Sequence, residues 1–179
     1  MKALKVKEIL IDKENIARRI DQLVDEIATS STDNLIIIGI LKGSFIFLAD
    51  LMRSLHRHQI HPRIDFLTLS SYGNETVSSK KITIVHDIRD DIKGADILLV
   101  DDILDSGHTL DFTKKLFLKR GARSVQTCVL LEKKARRAVQ FEADYVGFSI
   151  DDHFVVGYGL DYANLYRELP HIAKLNLSD

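Results

Sequence analysis

The chain has 179 residues, 45% of them hydrophobic and 28% charged, which suits one globular domain with a sizeable core. Its 25 basic and 26 acidic residues leave a formal net charge of -1, so the basic excess of a dedicated nucleic-acid surface is missing. Cys128 is the single cysteine, which excludes an intramolecular disulfide framework and points to a reducing, cytoplasmic setting. The first residues, MKALKVKEILIDKENIARRI, mix charges throughout and lack the apolar core of a signal peptide. No segment is long and apolar enough for a membrane helix, so no membrane partner is expected. In a cytosolic chain the sequon at Asn74 is an accident of spacing.

In chain order, Asp12 is placed to cap a helix running to about Ser30, with Ile16, Ile20, Leu23 and Ile27 on one stripe. LIIIGI (35–40) is a continuous apolar run, as a strand covered on both faces requires. After LKGS, FIFLADLMRSLHRH reads as an amphipathic helix. RIDFLTLS (63–70) and KITIVHDI (81–88) alternate as strands, and DILLVDD is a further buried strand. A helix from Thr109 to Arg120 ends at Gly121. SVQTCVLL (124–131), DYVGFSI (144–150) and FVVGYG (154–159) read as strands, with a last short one near 171–175. Strand–helix alternation predicts an α/β fold, a mainly parallel twisted sheet of about five strands with helices on its faces. Ligands of such sheets sit beyond the carboxyl ends of the strands.

ILLVDDILDSGHTL (97–110) falls at such an end. Successive strand side chains alternate faces, so Asp101 and Asp102 should diverge: one towards a ligand, the other towards a cation, water or basic neighbours. The turn Asp105–Thr109 offers backbone N–H groups at a helix start, two hydroxyls, and a glycine that lets the chain wrap closely. That is a nest for a phosphate. Two acids beside it repel a bare phosphate but suit sugar hydroxyls or Mg²⁺. Neither G-x-x-x-x-G-K-[ST] nor G-x-G-x-x-G occurs, which removes the commonest nucleotide-binding motifs. Taken alone, Asp105 reads equally as a helix N-cap, LKGS as an ordinary strand–helix turn, and KKARR as a solvated charged run. The histidines of HRHQIH (56–61) lack ligand spacing and read as surface residues.

The string from 97 to 110 resembles the 5-phosphoribosyl-1-pyrophosphate (PRPP) signature of type I phosphoribosyltransferases. More narrowly, ILKGSFIFLADL, DFLTLSSYG, LLEKKARR and DYVGFSIDDHFVVGYGLDYANLYRELP are similar, in order, to the hypoxanthine (hypoxanthine-guanine) phosphoribosyltransferases, over about Val6 to Leu175. The resemblance implies a single domain, with a core over about 30–150 and a small hood built from the two chain ends. It also implies Mg²⁺-dependent transfer of a phosphoribosyl group from PRPP to hypoxanthine or guanine, and a homo-oligomer, dimer or tetramer. It assigns the ribose phosphate to Asp105, Ser106, Gly107, His108 and Thr109, and the ribose hydroxyls with Mg²⁺ to Asp101 and Asp102. Many relatives have Glu where this chain has Asp101, so that contact is made directly or through water. Asp105 becomes the proton partner of purine N7, a role helped by the like charge of the phosphate, which makes a carboxylate more basic. Lys42 and Gly43, with Arg167, take pyrophosphate. Lys133 donates to the 6-oxo group, Phe154 stacks on the base, Val155 contacts it through backbone groups, and Asp161 lies near the base and a second Mg²⁺. Ser71 and Tyr72 belong to a polar lid, SSYGNETVSSKK. The rivals are a transferase for xanthine or a pyrimidine, and an RNA- or DNA-binding regulator keeping only the PRPP pocket, against which the near-neutral charge and intact base-pocket residues argue.

Overall fold

A computed structural model describes residues 6–30, 32–72 and 81–175. Strand β1 (Val6–Ile11) leads into helix α1 (Lys13–Ala28), whose N-cap Asp12 accepts a 2.7 Å hydrogen bond from the Asn15 N–H. The helix buries Ile16, Ile20, Leu23, Val24 and Ile27, the stripe expected from their spacing. Next come β2 (Leu35–Leu41), α2 (Phe45–Arg57), β3 (Arg63–Tyr72), β4 (Lys81–His86), β5 (Asp96–Leu104) and α3 (His108–Lys119). The chain finishes with β6 (Ser124–Glu132), a single 3-10 turn over Lys134–Arg136, β7 (Tyr145–Ser149), β8 (Val155–Val156) and β9 (Ile172–Leu175).

The main sheet has six strands in the order β4-β3-β2-β5-β6-β7, one more than the apolar runs suggested. All pairings are parallel except β3–β4. Alternation along the central strands splits their side chains between two cores. Ile37, Leu98, Val100 and Leu130 pack with α1 and α2, while Ile36, Ile38, Ile40, Ile97 and Leu99 pack with Leu110 and Phe117 of α3. Burial of each such side chain is worth roughly 1.5–3 kcal/mol, so continuous apolar strands are stable only with cover on both faces.

A second sheet, β1-β9-β8, is antiparallel and joins the two ends of the chain. β1 has no counterpart in the sequence reading, because its partner β9 lies at the other end of the chain. The strand expected over 154–159 shrinks to Val155–Val156. Positive φ at Gly157 (96°), Tyr158 (52°) and Gly159 (99°) turns the chain there, and Gly157 bridges to Leu160. Tyr158 Oη donates to Asp50 Oδ2 at 2.5 Å, tying this turn to α2. No described helix is long and apolar enough to cross a membrane.

Candidate active site

β2 stops pairing with β5 at Gly39↔Val100, whereas β5 keeps its register with β6 as far as Leu104↔Glu132. Connections leave β2 towards β3 on one side, and β5, β6 and β7 lie on the other. The sheet therefore parts at its carboxyl end, as open α/β sheets do at their ligand sites. The resulting crevice of about 300 Å³ is lined by Leu41, Gly43 and Ser70 on one bank and by Asp101–Gly107 and Thr109 on the other.

The acid pair departs from strict alternation. Asp101 and Asp102 both line the crevice, and their carboxyls are close enough to perturb each other electrostatically. Asp101 Oδ1 also accepts the Asp102 N–H at 3.0 Å. Beyond Val100 the strand has lost one neighbour, so two short side chains can close on the same gap. Burial, and then the charge of Asp102, pushes the Asp101 carboxyl well above the usual carboxylate range; burial raises Asp102 as well. Asp102 also packs on Gly43: a Cβ added there would overlap Asp102 Oδ2 and Cγ.

Asp105 is not a helix cap. The N-cap of α3 is Gly107 with φ 88°, two residues further on. Asp105 Oδ1 is buried without a hydrogen-bond partner among the described residues, and so is Ser70 Oγ. Its other oxygen lies 4.0 Å from Arg136 Nη1. Ser106, Gly107 and Thr109 line the crevice; His108 faces a neighbouring groove with Ile82, Asp111 and Phe112. Lys42 is exposed, and only its neighbours Leu41 and Gly43 reach the lining; the Leu41–Lys42 peptide is cis.

At the far bank, the Lys133 side chain is 8% exposed, 3.8 Å from Asp152 Oδ1. Burial pulls its ammonium below the usual lysine range, opposed by the charge of Asp105. Phe154 is 41% exposed and meets Tyr162 edge-on, with ring centres 5.5 Å apart. Its carbonyl accepts the Leu175 N–H at 2.9 Å, and Val155 is buried. Asp161 stands apart from the acid pair, bound to Arg167 Nη2 at 2.6 Å. Arg167 donates to the Gly159 carbonyl at 2.6 Å, and its charge favours ionised Asp102. No group of three or more His, Cys, Asp or Glu suited to a metal occurs among the described residues, HRHQIH included. The lid expectation falls mostly on residues 73–80, outside the described ones, as do the side chains of Ser71 and Tyr72.

Composition misled at KKARR. Lys134 and Arg136 are exposed, but Lys133 is buried and Arg137 is only 16% exposed, paired with buried Glu132 at 2.8 Å. Arg136 Nε binds Asp152 Oδ1 at 2.5 Å. Neither Glu132, Arg137 nor Asp152 was singled out from sequence. An acid ending a buried strand, with an arginine five residues on, was the available signal.

A parted parallel sheet, paired acids and an N–H-rich turn at a helix start together define an α/β protein with a ligand crevice at the carboxyl end of its sheet. Residues 6–163 match the phosphoribosyl transferase domain model, and the chain belongs to that family. It is 41% identical over 175 residues to the hypoxanthine phosphoribosyltransferase of Escherichia coli (strain K12), covering 96% of this chain and 97% of that one. It is 42% identical to the hypoxanthine-guanine phosphoribosyltransferase of Bacillus subtilis (strain 168), covering 95% and 93%. A solved hypoxanthine phosphoribosyltransferase from Staphylococcus aureus superposes with TM-score 0.91 at 38% identity, over 97% of this chain and 95% of that one.

Proposed function

We propose that this protein is a purine-salvage transferase that joins hypoxanthine or guanine to PRPP, giving IMP or GMP and pyrophosphate. The observation that carries this reading is the partnerless carboxylate oxygen of Asp105, at the head of an N–H-lined turn and within charge range of the buried Lys133. Ribose phosphate fits the turn 105–109, where unpaired N–H groups and hydroxyls replace its water. Lys133, desolvated, is a strong donor for the 6-oxo group and offers nothing to the amino group of adenine. Asp105 takes or returns the proton at N7. Phe154 presents a half-exposed ring for stacking, and Asp161 with Arg167 borders the base and pyrophosphate.

The acid pair fits a divalent cation. Two adjacent carboxyls whose ionisation is disfavoured by burial, and at Asp101 also by the charge of Asp102, gain from a Mg²⁺ that keeps part of its water shell. Asp101 and Asp102, and separately Asp161, would hold Mg²⁺, which supplies charge neutralisation on the pyrophosphate. The exposed Lys42 then acts through its main chain, beside Gly43. The three-stranded sheet serves as a hood over the base, and Ser71 and Tyr72 belong to a lid that excludes water.

The exposed apolar residues Phe45, Ile64, Phe66 and Val85 support a homo-oligomer. A Trypanosoma cruzi relative, TM-score 0.92 at 38% identity, was studied for the role of its C-terminal region in oligomeric state. Light scattering on the purified protein tests that assignment. Buried, thiol-form Cys128 accords with a reducing cytoplasm. The deciding experiment is a spectrophotometric assay with PRPP, Mg²⁺ and each purine in turn. Nucleotide from hypoxanthine and guanine is expected; none from either overturns the proposal.

A further inference from the structure

The amide-lined turn is shaped from behind. A trans peptide is planar, so its carbonyl and N–H point in opposite directions. The Leu104 carbonyl accepts the Lys133 N–H at 3.0 Å and Arg137 Nη1 at 3.3 Å. The Asp105 carbonyl accepts Arg137 Nη1 at 2.7 Å. The Ser106 carbonyl accepts the N–H groups of Ala138 at 3.0 Å and Val139 at 3.3 Å. Three successive carbonyls are thus pulled towards the segment 133–139. The N–H groups of Asp105, Ser106 and Gly107 are left facing the other way, and none has an acceptor among the described residues.

Two of those carbonyls have backbone donors. The Asp105 carbonyl has only Arg137 among the described residues, and its peptide carries both the proposed proton-transferring residue and the Ser106 amide. We infer that Arg137, held by Glu132, is a positioning residue that aims the Ser106 N–H at the substrate phosphate and fixes the backbone of Asp105. The inference rests on the phosphoribosyl-transfer reading. Arg137 Nη2 binds Glu132 Oε1 at 2.8 Å while Nη1 spans the two carbonyls, a planar fork that lysine cannot reproduce. Glu132 is itself 7% exposed and accepts Ser149 Oγ at 3.2 Å, so the fork is anchored to β6 and β7. Gly107 makes room for it: a Cβ there would lie 3.3 Å from Arg137 Cδ and 2.9 Å from Val139 Cγ2.

Two measurements test this. In steady-state assays, Arg137→Lys and the double variant Arg137→Met/Glu132→Gln, which leaves no buried lone charge, should raise KM for PRPP at least about tenfold, the worth of one charged hydrogen bond. KM for hypoxanthine should stay within about twofold, and guanidinium ion should restore part of the activity of Arg137→Ala. Independently of turnover, inorganic phosphate should shift the Ser106 and Gly107 amide resonances of the wild type and leave those of the double variant unmoved. A wild type that makes no nucleotide sinks the functional reading, and the phosphate titration still judges the inference. Equal rises in both KM values, an unchanged KM for PRPP, or phosphate shifts that survive in the double variant overturn it.

Discussion

Gly43→Ala probes the contact between the two banks of the crevice. Its φ is not in the left-handed region, so alanine brings no backbone strain, only a methyl group. That methyl would overlap Asp102 Oδ2 and Cγ and come 3.0 Å from Oδ1. Restoring an ordinary contact of ~3.5 Å moves the carboxylate by on the order of 1–2 Å, away from its place beside Asp101. A displacement of ~1 Å at reacting groups costs about 10²-fold, or ~2.7 kcal/mol of transition-state stabilisation. Overpacking costs ~1–3 kcal/mol of stability as well. Gly94→Ala is the control: φ is 72° and nothing lies within 4 Å of an added Cβ, so it strains the backbone by ~1–2 kcal/mol without touching the site. Steady-state kinetics with PRPP and hypoxanthine, alongside thermal melts of both variants, give the readout. Gly43→Ala with activity within twofold of wild type would refute the packing of Asp102 on Gly43. So would equal activity losses in the two variants.

Asp105→Asn should lower kcat by about 10²–10⁴-fold, the usual worth of a proton-transfer group, with PRPP binding by calorimetry nearly unchanged. Lys133→Met should raise KM for hypoxanthine about 10–100-fold, since a charged hydrogen bond is worth ~1.5–3 kcal/mol, and leave KM for PRPP unmoved. The Asp101 carboxyl is held above its unfolded value, so the folded state binds more protons, and its stability is lost as pH rises from about 4 through the pair's own titration. Without metal, Asp102→Asn should therefore melt higher than wild type at pH 8 by at least ~2–4 °C, the effect of about 1 kcal/mol at this size, with the gap closing at pH 4. Adding Mg²⁺ at pH 8 should raise the wild-type melting temperature and leave that of the variant nearly unmoved, checked by calorimetry at both pH values.

The stripe of α1, its Asp12 cap, the two-sided burial of LIIIGI and DILLV, and the Ser-Gly turn opening α3 were all legible in the sequence. Each depends on residues two to four positions apart, whose periodicity and capping chemistry act locally. The candidate site residues were read from ordered motifs, but their spatial relations were not. Only the tertiary structure decided that β1 pairs with β9, that Asp101 and Asp102 meet where β2 leaves β5, and that Gly43 is packed by Asp102. It alone sorted KKARR into buried and exposed cations, and bound Asp161 to Arg167. Those pairings join residues far apart in the chain, or neighbours whose burial is set by distant strands. The free energy that fixes them comes from desolvation and partner geometry, which local spacing does not encode.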